Sequence, residues 1–174
     1  MTLRFGGLSL LLVVAACRGT TAPSDGTTPG NNGSFEGGAI ATTHLFGDAP
    51  DKTTVFGPVI SVVGPGVELR NFGVTVFVNG QPMSGFVNVD FSAANILITL
   101  VRDQSFGYHD SLRFADPDGT LRDFAGVQVH PATDYSGFTP SRIRVDADAI
   151  DVNLTGLRGL RGQAIHLDVT LVAR

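Results

Sequence analysis

The segment best equipped for chemistry is Asp116-Pro117-Asp118-Gly119, with Asp123 downstream. Carboxylates at alternating positions in a tight loop can converge on Ca²⁺, which takes about six to eight oxygens. The segment falls short of a helix-flanked calcium loop, because no third Asp sits two residues on and no Glu closes it. A Pro-Asp-Gly β-turn needs the same residues for its backbone angles alone. The turn is therefore the expectation, with calcium on Asp116, Asp118 and Asp123 as the alternative. A second acidic group, Asp146, Asp148 and Asp151, is interleaved with Arg142 and Arg144. On a strand, Arg142, Arg144, Asp146 and Asp148 share the outward face, a solvated surface whose charges discourage edge-to-edge pairing. Facing carboxylates about 5–9 Å apart could also hydrolyse a glycosidic bond, which defines the enzymatic alternative.

The other reactive types are sparse. His44, His109, His130 and His166 are scattered, with no two at a spacing that makes a metal site. His109-Asp110-Ser111 holds the residue types of a catalytic triad, but consecutive residues point in different directions, and triads are assembled from distant segments. No nucleophile elbow and no phosphate loop is present. There is no Trp, and the twelve Phe lack a polar edge, so sugar stacking is disfavoured and the Phe residues belong to a core. Tyr108, in Phe106-Gly107-Tyr108-His109, and Tyr135, in Tyr135-Ser136-Gly137-Phe138, read as aromatic loop tips. Aromatic tips of this kind anchor interfaces, which makes Tyr108 and Tyr135 the candidate partner-binding residues.

The only thiol is Cys17. Ahead of it run Met1-Thr2-Leu3-Arg4, an apolar stretch through Leu8-Ser9-Leu10-Leu11-Leu12-Val13-Val14, and Ala15-Ala16. A charged start, a short apolar stretch and small residues before the cut define an export signal. The stretch is shorter than the roughly 18–20 residues a spanning helix needs. Val14-Ala15-Ala16-Cys17 resembles the bacterial lipobox, which implies cleavage after residue 16 and a lipid on the Cys17 sulfur. A lone cysteine has no partner for an intrachain disulfide, which fits. Several acyl chains, each adding about 0.8 kcal/mol per buried CH₂, anchor stably. Arg18 follows the cysteine where an inner-membrane retention signal carries Asp, so the expected site is the outer membrane.

Those residues must be carried by something. Residues 1–16 are read as the signal, and 17–44 as the lipidated cysteine with a flexible Gly/Thr/Pro/Ser/Asn tether. A chain of about 25 such residues reaches roughly 25–30 Å. Residues 45–174 form the domain, long enough to bury a core without metal or disulfides. The net charge of −4 stays with the domain, since Arg4 and Arg18 offset Asp25 and Glu36. That balance disfavours nucleic acid as a partner.

Acidic residues other than Glu36 and Glu68 are all Asp, and Lys52 is the sole lysine. Asp favours turns, whereas surface helices draw on Glu and Lys. Between recurring Gly and Pro lie segments of period-two alternation, the mark of half-buried strands. Strands are predicted near 55–63, 66–70, 72–78, 84–91, 95–102, 111–115, 125–130, 141–147, 149–155 and 164–172. The apolar phase slips between Ala147 and Ile150, which predicts a bulge or tight bend at Asp148-Ala149. The fold class is all-β: an antiparallel β-sandwich, jelly-roll or immunoglobulin-like, with a closed barrel as the lesser option.

One stretch carries a resemblance: Val67-Glu68-Leu69, Val89-Asp90-Phe91-Ser92-Ala93-Ala94-Asn95-Ile96, Phe114-Ala115-Asp116-Pro117-Asp118-Gly119-Thr120-Leu121, and Gly137-Phe138-Thr139-Pro140 through Asp151-Val152-Asn153-Leu154. In this order the features resemble secreted domains of the exosortase-anchored (PEP-CTERM) bacterial proteins. The resemblance implies a secreted β-sandwich of unassigned activity and carries over no catalytic residue. The chain departs from that pattern at Val172-Ala173-Arg174, where a Pro-Glu-Pro signal and an apolar tail are missing. The functional expectation is a structural or adhesive binding module of the bacterial envelope, lipid-anchored and non-enzymatic, with a protein or polymer partner. Polysaccharide hydrolysis and a calcium-stabilised module are the alternatives.

Overall fold

Alternating apolar and polar residues become strand after strand in the computed structural model, which describes residues 33–47, 52–73, 77–78, 81–82 and 85–172. The strands in chain order are β1 (Ala39–Gly47), β2 (Thr53–Val62), β3 (Leu69–Phe72), β4 (Phe77–Val78), β5 (Gln81–Pro82), β6 (Val87–Ser92) and β7 (Asn95–Leu100). Then come β8 (Gln104–Ser105), β9 (His109–Ala115), β10 (Phe124–Val129), β11 (Ile143–Asp146), β12 (Ala149–Asn153), β13 (Arg158–Gly159) and β14 (Ala164–Leu171). One 3₁₀ turn, Pro140–Arg142, leads into β11.

Two five-stranded sheets form, ordered β11-β12-β9-β1-β2 and β10-β14-β7-β6-β3, and every pairing within them is antiparallel. Neither sheet closes on itself, so the sandwich holds and the barrel does not. The inward rows are the ones the alternation marks. Val87, Val89 and Phe91, with Ile96, Ile98 and Leu100 and with Ile165 and Leu167, line one sheet; Leu112, Phe114, Ile150 and Val152 line the other. Phe91 meets Phe114 across the sheets edge-on, with ring centroids 5.6 Å apart, an arrangement that suits the ring quadrupoles. The slip after Ala147 is a hairpin: Ala147 and Asp148 form the turn, Asp146 pairs with Ala149, and Val145 pairs with Ile150.

Two expectations need correction. First, the tether does not run to residue 44. Phe35 is fully buried against Phe91 and Phe124, and β1 lies between β9 and β2 within its sheet. The domain therefore includes residues 33–44. Second, a strand over 72–78 is not continuous, since β3 ends at Phe72 and β4 begins at Phe77; residues 74–76 lie outside the described residues. The strand expected near 55–63 is β2, which lies at the edge of its sheet with Val62 69 % exposed. Its bulge opposite Thr42–His44, together with Pro58, which lacks an N–H, interrupts the free edge.

Candidate functional site

The inward and outward alternation of β9, β11 and β12 leaves their outer faces to polar side chains. Ile150 and Val152 point into the core, so Asp151 and Asn153 face out from β12, the middle strand of the three. Register places Arg144 and Arg113 on either side of Asp151, and Ser111 beside Asn153. Where β9 starts and β11 begins, Ser111, Arg144, Asp151 and Asn153 with His109, Asp110, Ser141, Arg142, Ile143 and Thr155 line a groove of about 310 Å³.

Hydrogen bonds fix its walls. Arg113 Nη1 donates to both oxygens of Asp151, at 3.2 and 3.0 Å. Arg144 Nη2 donates to Asp146 at 3.2 Å, on the solvent side. Arg142 Nη1 donates to the carbonyl of Thr155 at 2.9 Å and reaches that of Asn153 at 3.4 Å. Asn153 Oδ1 accepts the N–H of Thr155 at 2.8 Å. Thr155 Oγ1 in turn accepts the N–H of Asp110 at 3.2 Å, tying the start of β9 to the end of β12.

Asp110 turns the other way. Its Oδ1 lies 3.0 Å from His44 Nε2, and its Oδ2 accepts the N–H of Gly107 at 2.6 Å. His44 is 2 % exposed, stacked on Phe46 and edge-on to Phe86. So the aspartate of His109-Asp110-Ser111 is held by a distant histidine on β1. That histidine is sealed in the core, where no substrate reaches it. The pair clamps β1 to β9.

The acidic loop is a backbone clasp. Asp116 accepts the N–H groups of Thr120 and Leu121, at 3.2 and 2.9 Å, and Asp118 accepts the Thr120 hydroxyl at 2.8 Å. Gly119 sits at φ +66° as the turn requires. Burial pushes the Asp116 carboxyl up despite these donors, while the Thr120 hydroxyl bond draws Asp118 down. The clasp turns Leu121 into the core. Among the described residues no three His, Cys, Asp or Glu are grouped to hold a metal ion, and Asp123 does not join the other two.

The two tyrosines part company. Tyr108 is 78 % exposed at the tip before β9. Tyr135 is 5 % exposed, lies against Gly159, and has its phenol pushed up to about 12 by burial, against the lowering pull of Arg142. Tyr135 is thus a core residue and no partner contact, and Phe106 is buried with it. The reason is that the chain after β10 folds back over the sandwich end, where a large ring is worth more buried than exposed. Arg142 and Arg144 were legible as part of an outward charged face. The groove they form with Ser111, Asn153 and Thr155 was not, because it needs the pairing of β9 with β12. His130 and His166 come together, ring centroids 5.8 Å apart, though neither joins a metal-capable group. Cys17 lies outside the described residues. Comparison with protein-family models, curated proteins and solved structures finds no match.

Proposed function

We propose that this protein is a lipid-anchored binding module of the bacterial cell envelope that engages a polar polymer in the groove over β12. In this reading residues 1–16 direct export, the lipid on Cys17 holds the chain at the outer membrane, and the resemblance to exosortase-anchored ectodomains is one of secreted sandwich to secreted sandwich. The groove is the observation that carries it: a concave surface lined by hydroxyl, amide, guanidinium and imidazole groups on paired strands. Such walls are rigid, and rigid polar walls bind without a large ordering cost. Binding is favoured over hydrolysis because the two carboxylates at the groove are already spent. Asp151 is held by Arg113, and Asp110 by His44 and Gly107, whereas glycoside hydrolysis needs one free to give a proton and one free to attack.

The test uses the purified full-length chain, immobilised and challenged with envelope polysaccharide fractions. Ser111→Trp, which fills the groove from the outer face of β9, should abolish retention, and Tyr108→Ala should not. The reverse pattern would move the site to the Tyr108 tip. Reducing-end release during incubation would revive the hydrolase. Anchoring is checked separately: Cys17→Ser should shift the protein from the membrane to the soluble fraction.

A further inference from the structure

Resting on the groove reading above, we infer that the groove is a site for a single oxyanion, carried on a hydroxyl-bearing saccharide and received by Arg142. The carboxylates nearby have partners of their own. Asp151 pairs with Arg113 and Asp146 with Arg144, and Asp110 is hydrogen-bonded to the His44 ring and the Gly107 N–H. Arg142 has no carboxylate partner among the described residues. Its Nη1 is committed to backbone carbonyls of Thr155 and Asn153. Those two bonds hold the planar guanidinium in place and leave Nε and Nη2 without an acceptor among the described residues. A half-buried, pre-oriented fork of N–H groups is the geometry that receives carboxylate or phosphate oxygens in two parallel bonds.

The surrounding groups fit the same ligand. Asn153 spends its Oδ1 on Thr155, so what it offers the groove is its amide N–H₂. Ser111 adds a hydroxyl from the neighbouring strand, and Ile143 is the one large apolar side chain in the lining. Donors around one cation, with little apolar surface, suit an acidic sugar better than a peptide segment, whose affinity rests on apolar pockets. The net charge of −4 on the chain opposes a dense polyanion. The anionic group should therefore be isolated among neutral sugar units.

The experiment titrates the full-length chain with three probes of equal size: a neutral oligosaccharide, its counterpart with one uronic acid, and its counterpart with one phosphate ester. Both charged probes should bind about tenfold tighter than the neutral one or more, with the advantage shrinking in high salt. The tighter of the two identifies the oxyanion. Arg142→Lys keeps the charge but loses the fork, and should lose most of that advantage. Because Arg142 also braces β11, Asn153→Asp serves as the second variant: it keeps the acceptor for Thr155 and sets a negative charge beside Arg142. It should erase the preference for charged probes over the neutral one. Equal affinity for all three probes would overturn the oxyanion inference and leave the groove reading standing. No binding of any saccharide would overturn both, and so would capture of an acidic peptide in place of saccharides.

Discussion

Replacing Tyr135 with phenylalanine removes one oxygen and leaves the ring that packs the sandwich end. Tyr135 Oη is buried and has no hydrogen-bond partner among the described residues. A buried hydroxyl without a partner costs about 1–3 kcal/mol in lost hydration. The ring stays packed against Gly159 after the change, so Tyr135→Phe should stabilise the fold by about 1 kcal/mol. For a domain of this size that raises the melting temperature by roughly 3–5 °C. The pH dependence offers an independent reading. Burial pushes the folded Tyr135 phenol up to about 12 from an unfolded value of 10.0. A raised pKa means the native state holds its proton longer. The associated stability is fully present below pH 10.0 and is lost as pH rises through about 12. A shift of that size corresponds to about 3 kcal/mol. The phenylalanine variant has no such proton, so its advantage over the wild type should widen steadily above pH 10.0. Urea midpoints of both proteins at neutral pH and at steps above it measure the two effects together. Destabilisation by more than about 1 kcal/mol at neutral pH would refute the argument, since it would mean the hydroxyl is hydrogen-bonded in solution. A constant difference across the alkaline range would refute the burial itself.

Three further outcomes follow from the same structure. Phe35→Ala should cost about 3–5 kcal/mol by urea denaturation, because it empties a buried site between Phe91 and Phe124; a change under about 1 kcal/mol would return residues 33–38 to the tether. Asp116→Asn should cost about 1–2 kcal/mol by replacing an acceptor for the Leu121 N–H with a donor, and millimolar Ca²⁺ should leave the wild-type melting temperature unchanged. A calcium-dependent rise that Asp116→Asn abolishes would restore the metal reading of the loop. Ala93 sits at φ +46° in the turn between β6 and β7, where a Cβ is crowded. Ala93→Gly should therefore gain about 0.5–1 kcal/mol in thermal or chemical denaturation, and a loss would show that the turn relaxes in solution.

The expectation of an export signal ending at Cys17 rests on local order, which needs no tertiary context. The sandwich was legible for a related reason. Period-two alternation over Val87–Phe91, Ile96–Leu100, Ile150–Val152 and Ile165–Val169 fixes which face of each strand is apolar, and two such faces must cover each other. Even the Ala147 hairpin showed itself as a phase slip. Strand β1 stayed hidden because Thr42 and His44 occupy inward positions where the pattern demands apolar residues. Only the pairing with β9, which brings Asp110 to His44, makes a buried histidine tolerable there. The position of β2 at an edge was not legible, since an apolar sequence does not say whether a strand is central or at an edge. The groove depended on tertiary structure altogether. Arg142 and Thr155 lie on different segments, and Arg113 meets Asp151 only through the register of β9 against β12. Sequence by itself therefore determined the pattern of faces, because side-chain direction alternates residue by residue along a strand. Tertiary structure decided the neighbours, because strand order and register are settled by the packing of the whole sandwich.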